Sequence, residues 1–226
     1  MTVCVSVKPS RRTTFDDFYH HRYIPEFLKA VPEVISARRY APSNLAQLQA
    51  DRACFFTIYE LSSDDAIQPI EEAISRSDHK EVSDQFKRWK EDGLSYFDRA
   101  FFEEIYRHPR SAKDGCWSSR PFMTFMWSVR IGCQQAHSWY HDQYLPRLMG
   151  DVPQWLACRT YRRMDTEPSE YMTIFEAADV FAFNEAENNE QAAYRQVENA
   201  AFATWLKANV DNHTFVRFKQ ILRLPD

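Results

Sequence analysis

Tyr19–Leu28 reads YHHRYIPEFL, and 121 residues later Tyr140–Met149 reads YHDQYLPRLM. A repeat of that period constrains the architecture more than any local propensity does. Phe18–Tyr40 and Trp139–Tyr161 align without a gap, with 8 of 23 positions identical: Tyr19/Tyr140, His20/His141, Tyr23/Tyr144, Pro25/Pro146, Val31/Val152, Pro32/Pro153, Arg38/Arg159 and Tyr40/Tyr161. A second block follows at an offset of 116, matching Thr57/Thr173, Phe86/Phe202, Trp89/Trp205, Phe102/Phe218, Ile105/Ile221 and Arg107/Arg223. The five-residue difference between the offsets falls in APSNLAQLQADRA, which reads as a loop. Two blocks in the same order over most of both halves imply a tandem duplication, with halves at 1–110 and 111–226.

Each half carries the same coarse pattern. VCVSV alternates as a strand does. In TTFDDFYHHRY, Thr14 is placed to cap a helix that carries Phe15, Phe18, Tyr19 and Arg22 on one face, and Pro25 ends that helix or opens a second. EVISARRYA and CFFTIYEL read as strands. SSDDAIQPIEEAISRSD and HKEVSDQFKRWKEDG read as helix, with Ser63 capping and Gly93 closing. RAFFEEIYR reads as a last strand. The order β-α-β-β-α-β predicts an α+β chain of two tandem ferredoxin-like units. Such a sheet has helices on one face only, so its bare apolar face must be covered. Two copies in one chain can cover each other, sheet against sheet, as an intramolecular pseudo-dimer; a further homodimer is left open. The polar segment HPRSAKDGCWSSRP, residues 108–121, is the natural connection.

The motif F-x-x-F/W-Y-H-x-x-Y-I/L-P-x-L, the Val-Pro-x-x-x-x-x-R-x-Y strand and the Y/F-E at the end of strand three resemble the EthD branch of the dimeric α/β-barrel superfamily. The resemblance covers both halves and implies a fused barrel. It also implies a small-molecule enzyme of a superfamily that holds cyclases, decarboxylases, isomerases, monooxygenases and chlorite dismutases. The family's His before I/L-P is Tyr23 in the first half and Tyr144 in the second, with His three places earlier at His20 and His141. The resemblance also implies a pocket between sheet and helices in each half, and it points to His79, before the last helix, as the catalytic His of cofactor-free cyclases; the second half has Tyr194 or Arg195 there.

Residue chemistry narrows the field. Tyr19 and Tyr23, i and i+4, share a helical face, and so do Tyr140 and Tyr144. A phenol donates a hydrogen bond to a developing oxyanion, and an imidazole takes a proton near neutral pH. Tyr23, His79, His20, Tyr144 and His141 are therefore the catalytic candidates. Tyr19, Arg38, Tyr140, Arg159, Tyr194 and Trp89 are the substrate-binding candidates, the arginines for their fork geometry. Arg38 with Glu60 and Arg159 with Glu176 are also plausible structural pairs, and Trp89 and Trp205 read as core. His21 and His137, opposite Asp142 and Asp16 in the other half, read as solvated surface.

No H-E-x-x-H, C-x-x-C or glycine-rich phosphate loop is present, so neither metal nor cofactor is expected. The net charge of −4, with both signs interspersed, argues against a nucleic-acid surface. No apolar run reaches the roughly 18 residues of a membrane span. Five cysteines with no paired spacing suggest a reduced, cytoplasmic chain. The expected partner is a small hydrophobic or aromatic compound with carbonyl or phenol groups. The expected reaction is cofactor-independent acid–base chemistry: cyclisation, dehydration, decarboxylation or isomerisation. A cofactor-free quinol-type monooxygenase and a non-catalytic small-molecule binding or accessory protein are the alternatives.

Overall fold

The computed structural model describes residues 1–43, 53–76, 80–108, 121–133, 135–167 and 169–225. The loop at 44–52, the connection at 109–120 and the His79 site lie outside the described residues. The chain gathers into two compact units, Met1–Phe101 with Lys219–Asp226, and Phe102–Phe218.

The first unit holds strands β1 (Thr2–Val7), β2 (Val34–Pro42), β3 (Cys54–Leu61) and β4 (Leu94–Ala100). β1 lies between β3 and β4 and β2 flanks β3, every pairing antiparallel. That order, 4-1-3-2, is the ferredoxin-like one. The helices are α1 (Arg12–Phe18), α2 (Ile24–Ala30), α3 (Ile67–Arg76) and α4 (Lys80–Arg88). Strand alternation sends Val3, Val5 and Val7 to the helix side, where they join Phe15, Ile24, Phe27, Val31 and Phe55 in one core. Each such side chain, once buried, contributes about 1.5–3 kcal/mol.

The second unit repeats the plan with β6 (Phe122–Val129), β7 (Trp155–Arg163), β8 (Glu170–Ala177) and β9 (Val210–Leu224, of which the part up to Phe218 belongs here). β6 lies between β8 and β9, and β7 flanks β8. Its helices are α5 (Ala136–Trp139), α6 (Leu145–Asp151), α7 (Val180–Glu190) and α8 (Gln196–Asn209). The segment expected as one last strand of the first half is broken at Phe101. β5 (Phe102–His108) follows the break and pairs with β7 in the second unit.

Each Tyr-His-x-x-Tyr motif forms a π-helical turn. Tyr19–Tyr23 joins α1 to α2, and Tyr140–Tyr144 joins α5 to α6. The backbone N–H of Ile24 donates to the Tyr19 carbonyl and that of Leu145 to the Tyr140 carbonyl, each five residues back. The following prolines give a physical cause. In a regular helix the Pro25 ring would strike the carbonyl four residues earlier, and the wider turn relieves that clash. Pro25 thus opens a second helix.

Two expected caps differ. α1 starts at Arg12, after a 3₁₀ turn at Pro9–Arg11, so Thr14 sits inside the helix; Pro9, with its fixed φ, sets the earlier start. Ser63 precedes the 3₁₀ turn Asp64–Ala66 but makes no side-chain capping bond. Its counterpart Asp179 does cap, accepting from the Ala182 N–H at 2.8 Å. Gly93 closes a third π turn, Trp89–Gly93, as expected for the end of that helix. A Cβ there would run into the buried Trp89 ring. Gly93→Ala is therefore expected to destabilise the protein by about 1–3 kcal/mol, through overpacking, in a denaturant titration. A loss below about 0.5 kcal/mol would mean that Trp89 is not held where the core places it.

Cys4 and Cys54 correct the expectation of a fully reduced chain. They stand on neighbouring strands, their Cα atoms 6.0 Å apart, and are disulfide-bonded. A pair formed across a sheet leaves no trace in sequence spacing. No helix among the described residues is long and apolar enough to cross a membrane.

Candidate active site

A cavity of about 280 Å³ opens within the first unit, between the sheet and the helices. Tyr19 and Tyr59 form its buried floor, with Tyr23, Phe27, Phe86 and Phe97 on the walls. Lys87, Lys90 and Arg99, with the carboxylate of Asp84, stand at the more exposed part of the lining. The π turn stacks Tyr19 on Tyr23, ring centroids 5.1 Å apart, and Phe86 from α4 packs 4.4 Å from Tyr23.

The Tyr19 and Tyr59 hydroxyls lie 2.9 Å apart and share one hydrogen bond. The Thr57 hydroxyl also lies within reach of the Tyr19 hydroxyl. Burial raises the pKa of Tyr19, Tyr59 and Tyr23, as the first cause for each. These phenols keep their protons and act as donors. Lys90 lies 4.9 Å from the centre of Phe97 and 5.7 Å from that of Phe86. Desolvation, then the charges of Arg99 and Lys87, lower its pKa.

The remaining candidates sit elsewhere. Arg39 Nη1 lies 2.6 Å from His20 Nε2 and 2.6 Å from Asp16 Oδ1, so the ring nitrogen of His20 accepts from a buried guanidinium. Burial and Arg39 hold the His20 pKa down to about 4. Arg38, the next residue along β2, points to the opposite sheet face, where its Nε and Nη1 have no acceptor among the described residues. The Arg38–Glu60 pair is not formed; Glu60 accepts from Ser36 Oγ at 2.9 Å. Trp89 is core, packed edge-on against Phe15 at 5.2 Å with the Arg11 guanidinium 4.6 Å from its centre.

In the second unit His141 is buried, stacked on Tyr106 at 4.7 Å and 5.7 Å from His137. Its pKa is lowered to about 4 by burial and then by His137. His137, expected at the surface, packs against this ring and against Tyr171. Arg159 approaches Glu104 on β5 at 3.9 Å. Tyr194 is exposed and donates to the Asp151 carbonyl at 3.2 Å.

The internal duplication allows the two sites to be compared position by position. Strand register places Val3 opposite Thr57 and Arg99, and Phe125 opposite Thr173 and Phe215. Phe125 and Phe215 stack at 4.6 Å where the first unit has Val3 and Arg99. By the 116 offset, Tyr59 becomes Phe175, Asp84 becomes Ala200, Lys87 becomes Ala203 and Lys90 becomes Leu206. Phe202 lies flat on Tyr144 at 4.4 Å, and Tyr140 stacks on Trp205 at 5.1 Å. The fully buried Arg195 pairs with Asp151 and interacts with Tyr144. Burial pushes the carboxyl of Glu190, which accepts from Trp155 Nε1, up to about 7.

Tyr59, Asp84, Lys87, Lys90 and Arg99 were not anticipated from sequence. Their signal lies in the aligned halves: positions that are polar in one copy and apolar in the other, inside a block that otherwise matches.

No family model matches the chain, and no curated protein matches it. Solved structures do. An anthrone oxidase-like protein superposes with a TM-score of 0.67 at 11% identity, over 98% of this chain and 90% of that one. A candidate monooxygenase from Fusobacterium nucleatum subsp. nucleatum gives 0.62 at 9% identity, over 98% and 91%. A second candidate monooxygenase, from Lactobacillus acidophilus, gives 0.55 at 9%, over 98% and 93%. At such identities the likeness is one of fold, the α+β fold of the dimeric α/β-barrel proteins.

Proposed function

We propose that this protein is a cofactor-independent enzyme that performs proton-transfer chemistry on a small hydrophobic aromatic or polyketide-like carbonyl compound, in the pocket of the first unit. One observation carries the reading: the Tyr19–Tyr59 hydroxyl pair, kept protonated by burial, lines the same cavity as Lys90. In this reading the substrate carbonyl accepts a hydrogen bond from the tyrosine pair, and Lys90 in its neutral form removes the proton beside that carbonyl. The C–H electrons move into the enolate, whose oxygen the tyrosines hold, and the Lys90 ammonium returns the proton at another atom. A cavity of about 280 Å³ is at the small end of ligand pockets, roughly 300–1,000 Å³, and suits a compound of two or three fused rings. The resemblance to the EthD branch, with its small-molecule chemistry, supports the reading as an analogy of fold.

A second reading is favoured by the names of the similar structures, one anthrone oxidase-like and two candidate monooxygenases. The same enolate, once formed, is electron-rich and could pass an electron to O₂. Anthrone, a ketone that enolises to a phenol, separates the readings. Incubated with the protein in D₂O without O₂, it should exchange its ring CH₂ protons faster than in buffer. Oxygen uptake matched to quinone formation, under air, would move the assignment to the monooxygenase. Saturable binding with neither exchange nor uptake would make the protein a ligand-binding one.

A further inference from the structure

We infer that the substrate carries a carboxylate, and that Arg99 and Lys87 hold it at the mouth of the first-unit pocket. This rests on the reading of that pocket as the substrate site. The cations Lys87 and Arg99, with the Lys90 amine beside them, line one cavity of about 280 Å³ together with a single carboxylate, Asp84. None of the three makes an ion pair or hydrogen bond among the described residues, whereas Arg11, Arg22, Arg39, Arg162 and Arg163 each have an acidic partner. Positive charges that outnumber the one carboxylate of the cavity repel one another: desolvation first, then Arg99 and Lys87, lower the pKa of Lys90. An anion bound among them removes that repulsion, and Arg99, a half-buried planar fork, matches a carboxylate in two-point geometry.

The second unit supplies an independent observation. The equivalents of Lys87, Lys90, Arg99 and Asp84 are Ala203, Leu206, Phe215 and Ala200. The whole charged set is absent from the second copy, where Phe125 and Phe215 stack at the position of Val3 and Arg99. Charges kept in one copy and absent from the other are not dictated by the shared fold. The tyrosine floor then receives the ketone or phenol oxygen and the mouth receives the carboxylate. The class of substrate is a fused-ring aromatic acid with an enolisable or phenolic oxygen.

The test uses three probes of one ring system on the whole protein: 1-hydroxy-2-naphthoate, its methyl ester and 1-naphthol, by isothermal titration calorimetry. The carboxylate is expected to bind at least about tenfold more tightly than the ester, with an advantage that shrinks at high salt. Arg99→Gln and Lys87→Gln should each reduce the advantage, and the double variant should abolish it while ester binding stays unchanged. Lys87 is exposed, so its variant folds even if Arg99→Gln does not. Ester or naphthol binding as tight as the acid overturns the carboxylate inference and leaves the proposed pocket standing. Failure of all three probes to bind overturns both. A preference for the acid that survives the double variant also overturns the inference, since the anion is then held elsewhere.

Discussion

Tyr59→Phe is expected to lower kcat by about 10²–10³-fold, on the order of 2.7–4 kcal/mol of lost transition-state stabilisation, while costing the fold only about 0.5–1.5 kcal/mol. The asymmetry follows from what the hydroxyl does. In the resting protein it shares a single bond with the Tyr19 hydroxyl, and one neutral hydrogen bond exchanged for none has a modest net worth. In the proposed reaction the pair meets an oxygen that gains negative charge, in a cavity walled by Phe27, Phe86 and Phe97, where a pre-oriented donor is worth far more than in water. Tyr19→Phe should behave alike, because either variant removes one hydroxyl of the pair that holds the oxygen. Tyr23→Phe alters the wall rather than this pair and tests the position where the resemblance puts the family's polar residue. Tyr144→Phe, in the unit whose equivalent position faces Arg195 and Phe202, should change stability and leave turnover in place. Measurements of kcat and of the denaturation midpoint on the same preparations decide it. A Tyr59→Phe enzyme with more than half the original kcat removes the tyrosine pair from the mechanism.

Arg39→Met should destabilise the protein by about 3–5 kcal/mol, the usual cost of breaking a buried ion pair from one side. Arg39 is fully buried, and its Nη1 donates to Asp16 and to His20, both at 2.6 Å. Its guanidinium carbon lies 5.0 Å from the ring centres of Tyr19 and Phe55 and 5.4 Å from that of Phe15. Removing it leaves Asp16 without its cation, frees the His20 ring nitrogen and takes a wall away from Tyr19. The second unit shows a neutral alternative. Thr160 stands at the equivalent place and shares a 3.0 Å hydrogen bond with Thr173, and His137 stands where Asp16 does. The double variant Arg39→Met, Asp16→Asn should therefore recover part of the loss. Denaturant titrations of the three proteins check this. A single-variant cost below about 1 kcal/mol would show that Asp16 finds enough water to stand alone.

The two histidines of the repeated motif separate what a residue's chemistry suggests from what its surroundings allow. His20 and His141 were attractive as bases because an ordinary imidazole titrates near neutrality. In the folded protein both are held down to about 4 by burial, with a nearby cation or a second imidazole adding to it. His20 turns its nitrogen to Arg39, and His141 lies among Tyr106 and His137, so neither lines the described cavity. Both recur on the shared first helix of the two halves.

What the amino-acid order determined by itself was the architecture of each unit. A gap-free repeat and the strand and helix periodicities are local, additive signals, and they predicted βαββαβ twice, the apolar helix-side faces and the aromatic first helix. The proline two residues after Tyr23 and Tyr144 also foretold a break there, because ring and carbonyl clash at a known spacing. The tertiary structure alone decided the site. Tyr59 comes from β3, Lys87 and Lys90 from the end of the last helix of that unit and Arg99 from β4, and they converge only when the sheet closes its register. It alone joined Cys4 to Cys54 across 50 residues and ended the first unit's last strand at Phe101. It decided too that Phe125 and Phe215 stack in one copy where the other has Val3 and Arg99. Whether a side chain fills a space or borders it depends on the volumes of neighbours distant in sequence, and no local pattern carries that sum.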